Sequence, residues 1–570
     1  VKKLLWLCLL ASFAYAQDIP RAGETIEVSI VNVDVFVTDR SGRHVTGLAK
    51  DDFVIYEDGK PQPLTNFAEY RSDLQNEAVS VEGTADAPAP AAPRRQHRTL
   101  VVFVDRFQGF GSNSGEQLFS ELKDLLHQTV RLGDSVTIVS WVHRLFTRLP
   151  FTDDLAAIDR VLDKMAAERN YWKAGDYRQI EEEQLFEQEA ADFIAGANAR
   201  GGGGSMGNAG GDRAPAGGPM PSLEQLSAAT DELHDMQAKT KAMRALIESI
   251  SGLDGQKSMI FVSRSFSTIA GQQFLTDRHA LNAPHSLYED LNNMTAQIES
   301  VAKAANANGV TMYMLYPAGL ETSGWVQNAE SRRMPGTGEA TAAGHAYQAM
   351  LNETSALQYV ADQTGGLAAS GSDVIKLLPR IEEDFSSYYS LAYRATTHRQ
   401  DRARKIVVKV KNRDLTVRAR HQFIEQSDET KMKNRVVASL FAKNGEDAHI
   451  PVQVKIGKPK ASGKGLWLLP VLIEVPAKAL VTLPDAKGER GAFSIFIAWG
   501  DILGSVSEVT HRTVPFSMED VKRAKGERFG YKFDLLTDMK TNRVAVGVYD
   551  EVAREYGLAS VKLPRTVAAE

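Results

Sequence analysis

The chain has 570 residues, 43% of them hydrophobic and 24% charged, with 66 Lys and Arg against 72 Asp and Glu for a formal net charge of −6. That length supports several domains of roughly 100 to 200 residues each, and mild acidity without a long basic stripe argues against nucleic acid as a partner. The single cysteine, Cys8, leaves the rest of the chain without disulfides, catalytic thiols or cysteine-ligated metal.

Residues 1–16 read as a secretory signal. Lys2 and Lys3 form the positive region, Leu4 to Phe13 the apolar region, and Ala14-Tyr15-Ala16 a small-x-small cleavage site before Gln17. The apolar stretch is shorter than the roughly 18 residues a membrane span needs, and no later run reaches that length. The expectation is an exported chain with no transmembrane segment once the signal is removed.

Residues 17–83 predict an antiparallel β domain. Ile26, Val28 and Ile30, then Val31, Val33, Val35 and Val37, alternate with polar residues before the turn Asp39-Arg40-Ser41-Gly42. Phe53 to Tyr56 leads into Glu57-Asp58-Gly59-Lys60, where Asp-Gly marks a hairpin. Residues 84–98, rich in Ala and Pro and then basic, read as an extended linker.

A different rhythm begins at residue 99. Leu100 to Val104 is a continuous apolar run of the kind a parallel strand covered on both faces requires. Leu118, Leu122, Leu125 and Leu126 share one helical face, with Ser114 and Gln117 as a capping box. Strands at 136–142 and 145–151 precede a helix carrying Leu155, Ile158, Leu162 and Met165. Residues 170–221, acidic and then rich in Gly, Ala and Pro, read as a flexible insertion. The alternation resumes with a helix over 222–250, a strand at 259–262, a helix over 285–306, a strand at 310–315 and a helix over 353–363 that stops at Gly365-Gly366. Residues 99–375 therefore predict an α/β domain with a mostly parallel sheet. Residues 376–429 read as a β extension, and 430–570, largely alternating, as a C-terminal antiparallel β sandwich.

Several stretches in this order resemble the von Willebrand factor A-related family of acidobacterial exported proteins. They are Val31-Asn32-Val33-Asp34-Val35, Leu48 to Phe53, Thr99 to Asp105, Gly255-Gln256-Lys257-Ser258-Met259-Ile260-Phe261, Gln363-Thr364-Gly365-Gly366 and Tyr388 to Tyr393. The resemblance covers roughly residues 17–425. It implies a doubly wound A-like domain flanked by N- and C-terminal antiparallel β domains, with a ligand site at the carboxyl ends of the central strands.

In A domains that site is an Asp-x-Ser-x-Ser motif after the first strand, holding Mg²⁺ or Mn²⁺ with an open position for a partner's carboxylate. Here the motif reads Asp105-Arg106-Phe107-Gln108-Gly109, and only the Asp matches. The later loop, Val262-Ser263-Arg264-Ser265, carries Arg264 where the family pattern has Asp. A guanidinium there would pair with Asp105 in place of a cation. Asp105 thus reads as a structural or salt-bridging carboxylate before it reads as a ligand of Mg²⁺ or Mn²⁺. Asp105, Arg106, Gln108, Ser112 and Arg264 form the candidate ligand-binding set, with Asp105 also the candidate ligand should Mg²⁺ or Mn²⁺ bind.

The twelve histidines show no His-Glu-x-x-His or other paired metal spacing, and the chain has no Gly-x-Ser-x-Gly elbow and no phosphate-binding loop. Gly201 to Gly204 lack the Lys-Ser/Thr that phosphate binding requires. Glu181 to Glu183 read as a solvated helix face, and Tyr388, Tyr389 and Tyr393 as strand packing. The favoured reading is an exported, non-enzymatic binding or adhesion protein that engages a protein or cell-surface ligand. A scaffold subunit of an envelope complex and an exported hydrolase remain the alternatives.

Overall fold

Alternating valines bury one face of a strand and leave it in need of a second sheet. β1 (Ile30–Thr38) does this with Val31, Val33, Val35 and Val37, none more than 1% exposed. β2 (Phe53–Glu57) and β3 (Lys60–Gln62) form the hairpin expected around Asp58-Gly59, with Asp58 at φ 47° and Gly59 at φ 81°. β4 (Leu64–Arg71) follows. The computed structural model describes residues 30–71, 98–105, 112–131, 133–142, 145–168, 223–253, 255–263, 266–271, 293–317, 354–395, 401–440, 449–463, 466–485, 488–501, 506–523, 528–538 and 541–563. The expected signal, most of the expected linker and the 170–221 insertion lie outside these residues.

Next comes a six-stranded sheet in the order β10-β9-β8-β5-β6-β7. Its strands are β5 (Arg98–Asp105), β6 (Ser135–Trp141), β7 (Leu145–Thr152), β8 (Gln256–Val262), β9 (Val310–Tyr316) and β10 (Ala368–Ser370). All neighbours are parallel except β6 and β7, joined by a hairpin too short for a crossover. Val101 to Val104 of β5 are fully buried, each contributing about 1.5 to 3 kcal/mol.

Both faces of this sheet are covered. On one lie α1 (Ser112–Thr129), α2 (Leu155–Ala167) and α6 (Asp373–Ser386), through Leu118, Leu122, Ile158, Leu162, Leu377 and Ile381. On the other lie α3 (Leu223–Ile250), α4 (Thr295–Asn308) and α5 (354–364), through Met243, Ile247, Ile298, Val301, Leu357 and Val360. Because α1 begins at Ser112, Ser114 lies inside its first turn rather than capping it, a correction to the capping box expected there. The helix expected from residue 285 is described from Thr295, whose N–H is held by Asn293 Oδ1 at 2.9 Å. Arg98, at the amino end of β5, binds Asp134 and donates to the carbonyls of Thr129 and Phe385, in the last turns of α1 and α6. A guanidinium there satisfies helix carbonyls that have no partner within their own helix.

After α6 the chain returns to the first strands. β11 (Ser387–Arg394) inserts between β1 and β4, β13 (Thr416–Ala419) adds to the other edge of β1, β12 (Ala403–Val410) pairs with β2, and β14 (Gln422–Ile424) with β12. The two four-stranded sheets, β13-β1-β11-β4 and β14-β12-β2-β3, close over one core of Val33, Val35, Ile55, Leu391, Tyr393 and Ile406. The separate N-terminal domain (17–83) and β extension (376–429) expected from sequence are therefore two halves of one sandwich. Neither half could cover its own apolar face. Arg404 holds Glu57 and Glu425 at 2.9 and 2.7 Å inside it.

A buried carboxylate helps to join this sandwich to the α/β layers. Asp384, fully buried near the end of α6, accepts from both guanidinium nitrogens of Arg418 (2.9 and 2.5 Å) and from the Tyr313 hydroxyl of β9 (3.0 Å), and lies 2.8 Å from His44 Nε2. Burial, reinforced by the Asp384 charge, pushes the Tyr313 hydroxyl well above its ordinary pKa.

The described chain divides into two compact units, the second running from Arg435 to Glu570. α7 (Asp428–Ser439), which alternation did not predict, begins where Ser427 Oγ accepts from the Thr430 N–H at 3.2 Å. In the second unit β15 (Leu466–Pro476) and β17 (Arg528–Asp538) lie in one antiparallel sheet, and β16 (Gly488–Asp501) and β18 (Thr541–Asp550) in another. Val471, Ile473, Leu535, Ile495, Val546 and Val548 form their shared core. No helix among the described residues is long and apolar enough to cross a membrane.

The Gly365-Gly366 stop has a steric basis. Gly365 takes φ 78°, and a Cβ on Gly366 would lie 1.9 Å from the Met312 carbonyl oxygen of β9. Gly366→Ala is expected to lower the urea-unfolding free energy by about 3 kcal/mol, as overpacking against rigid backbone does. An unchanged midpoint would show that the turn moves away freely.

Candidate functional site

β5, β6 and β8 end side by side, and the last residues of this trio converge. Asp105 closes β5, opposite Trp141 at the end of β6 in the parallel register. Ser263 follows β8. The chain runs from β5 to β6 and β7 in one direction and from β8 to β9 and β10 in the other, so Asp105 and Ser263 flank the point where the order reverses. Open α/β sheets carry their ligands at that crevice.

α3 supplies the remaining groups. Its stripe toward the sheet carries Met236, Met243, Ile247 and Ile250, all fully buried, and in the same stripe stands Lys239, also fully buried. The Lys239 ammonium lies 2.5 Å from Asp105 Oδ2 and 3.4 Å from Asp235 Oδ2, one turn earlier. Ser263 Oγ donates to Asp105 Oδ2 at 2.6 Å, and Trp141 Nε1 donates to Asp235 Oδ1 at 3.0 Å. Glu232, 3% exposed, lies on the same helix two turns before Lys239.

The charges determine one another. Burial alone would lower the Lys239 pKa, but the carboxylates of Asp105, Asp235 and Glu232 outweigh it and raise the pKa above the ordinary value of 10.5, keeping the amine protonated. Burial raises the Asp235 pKa, with Asp105 and Glu232 adding to it and Lys239 and the Trp141 N–H opposing it. Bringing a lone carboxylate this deep would cost several kcal/mol, which the ammonium offsets.

The same geometry tests the divalent cation that the resemblance implies. Mg²⁺ needs near-octahedral oxygen ligands at roughly 2.0 to 2.1 Å. Asp105 Oδ2 already faces an ammonium and a hydroxyl, and a divalent ion binding it would have to displace Lys239. The donor set does not fit the metal.

Of the residues expected at the site, Asp105 is where the sequence placed it, 2% exposed rather than open to a partner. Ser112 is the first residue of α1. Arg106, Gln108 and Arg264 lie outside the described residues. Among the described residues, Asp105 pairs with a lysine from a helix more than a hundred residues away in sequence; the guanidinium expected from the 262–265 loop lies outside them. The missed signal was a lysine among methionines at helical spacing, Met236, Lys239 and Met243, with Asp235 at i−4.

No protein-family model matches the sequence, and no curated protein matches it. Among solved structures, an aerotolerance-related membrane protein from Bacteroides fragilis overlaps 51% of this chain and 98% of its own, at 11% identity and a TM-score of 0.22. BatB from Bacteroides thetaiotaomicron overlaps 51% and 97%, at 9% identity and 0.21. Proximal thread matrix protein 1 from the mussel byssus overlaps 52% and 49%, at 10% and 0.21. Likeness at this level defines neither a family nor a function.

Lys239→Met is expected to cost about 3 to 5 kcal/mol, the usual penalty for orphaning a buried charge. The folded-state pKa of Lys239 lies above its unfolded value, so its stabilisation is complete below 10.5 and lost as pH rises through the raised value. The stability gap between wild type and Lys239→Met should therefore hold constant from neutrality toward 10.5 and narrow above it. Urea titrations across alkaline pH measure this; a gap that widened with pH would contradict a buried ammonium.

Proposed function

We propose that the chain is an exported, non-enzymatic binding or adhesion protein whose α/β layers form a doubly wound, von Willebrand A-like module with a lysine in place of the divalent cation. The observation that carries this reading is the Lys239 ammonium on Asp105 at the carboxyl edge of the central strand. Counted within the sheet, the strands run 3-2-1-4-5-6 with the third antiparallel, and this order supports the doubly wound reading. An ammonium on Asp105 takes the place of the metal and, with it, of the coordination position that a partner's carboxylate would fill. Recognition of a protein or surface ligand would then use the side chains and backbone of the surrounding rim, without metal.

Two measurements test this. Calorimetric titration of the purified chain with Mg²⁺ or Mn²⁺ should give no saturable binding, and co-sedimentation with envelope preparations of the source organism should be undiminished by EDTA. Saturable cation binding abolished by Asp105→Ala, or release from the envelope by EDTA, would restore the metal-dependent reading. Failure to sediment with any envelope fraction would remove the binding role itself.

A further inference from the structure

Among the described residues, the last strand of the six-stranded sheet has one unpaired edge. β10 pairs with β9 and with no other described strand. On the β9 side, the Met314 N–H donates to the Leu367 carbonyl at 2.9 Å and the Gly371 N–H to the Tyr316 carbonyl at 2.8 Å. A strand's backbone groups alternate sides with period two. Residues 367, 369 and 371 therefore face β9, and Ala368 and Ser370 direct their N–H and C=O groups outward.

This edge is recessed rather than flush with the surface. It forms the floor of a cleft of about 430 Å³ between α5 and α6, lined among others by Leu357, Gln358, Lys376, Leu377 and Arg380, within the roughly 300 to 1,000 Å³ of ligand-binding clefts. Leu357 and Leu377, 1% and 5% exposed, close the base of the cleft and belong to the cores beneath it. The polar side chains are not equivalent. Lys376 is paired with Asp373 at 2.8 Å and Gln358 bonds Asp362 at 2.7 Å. Arg380, exposed on α6, makes no ion pair or side-chain hydrogen bond among the described residues. The uncompensated charge in the cleft is therefore positive.

We propose that this cleft is a docking site for an extended, acidic peptide segment of a partner protein, which adds to β10 as a further strand and presents a carboxylate to Arg380. Backbone pairing with Ala368 and Ser370 supplies affinity that is independent of side chains, while the peptide's acidic side chains meet the guanidinium, which supplies the selectivity that strand-addition sites take from side chains. The inference goes beyond the envelope-binding reading and does not depend on Asp105, so either can fail alone.

The test is fluorescence anisotropy of the full chain with two short labelled peptides, one alternating valine with glutamate and the other valine with lysine. The glutamate peptide should bind about tenfold more tightly, the difference one charge-assisted pair makes. Arg380→Glu, at an exposed position, should reverse that preference. Ser370→Pro removes an outward N–H and should abolish binding of both peptides while thermal unfolding confirms the fold; should that variant not fold, Arg380→Glu alone decides. Absence of binding by either peptide, equal binding by both, or an unchanged preference in Arg380→Glu would overturn the proposal.

Discussion

The carboxyl edge of the central sheet depends on a buried charge finding its counter-charge. Asp105 ends a strand whose neighbours exclude water on both sides, and a carboxylate there is tolerable only beside a cation. Lys239 provides it from α3, and in doing so ties the longest described helix to the middle strand. Asp235 and Ser263 then have fixed geometries to satisfy, and the Trp141 indole is held against the same helix. A mobile divalent ion would have made this edge responsive to its surroundings. A tethered ammonium is part of the fold itself.

Asp384 plays a comparable part at the junction of sandwich and α/β layers, with a different chemistry. Its two oxygens receive a forked guanidinium, a phenol and an imidazole contact from separate elements. Bidentate pairing fixes orientation as well as distance, so the position of α6 against the sandwich is defined by hydrogen-bond geometry and not by apolar packing alone. The same helix carries Arg380 on its exposed face.

Local pattern made the α/β layers legible. Continuous apolar runs at 100–104 and 259–262, helical leucine spacing at 118–126 and the double glycine after residue 364 each report a constraint that operates within a few residues. The sandwich was half legible: the valines at 31, 33, 35 and 37 reveal a one-sided strand, but nothing near them in sequence identifies β11 and β13, hundreds of residues away, as their partners. The same distance concealed Lys239. A lysine within a helix is ordinarily a surface residue, and only the fold shows that its stripe runs under the sheet edge. Asp105 was found because a motif pointed to it, while its partner belongs to no motif.

The pairing of Arg71 with Ser387 across β4 and β11 places the entry and exit of everything between them on adjacent strands. In topological terms the six-stranded sheet and its helices are one long excursion from a single hairpin. A graft that spliced residue 71 to residue 387 through a tight turn would excise that whole body at one seam and leave both four-stranded layers with their register intact. Arg418 would then face solvent where Asp384 had been.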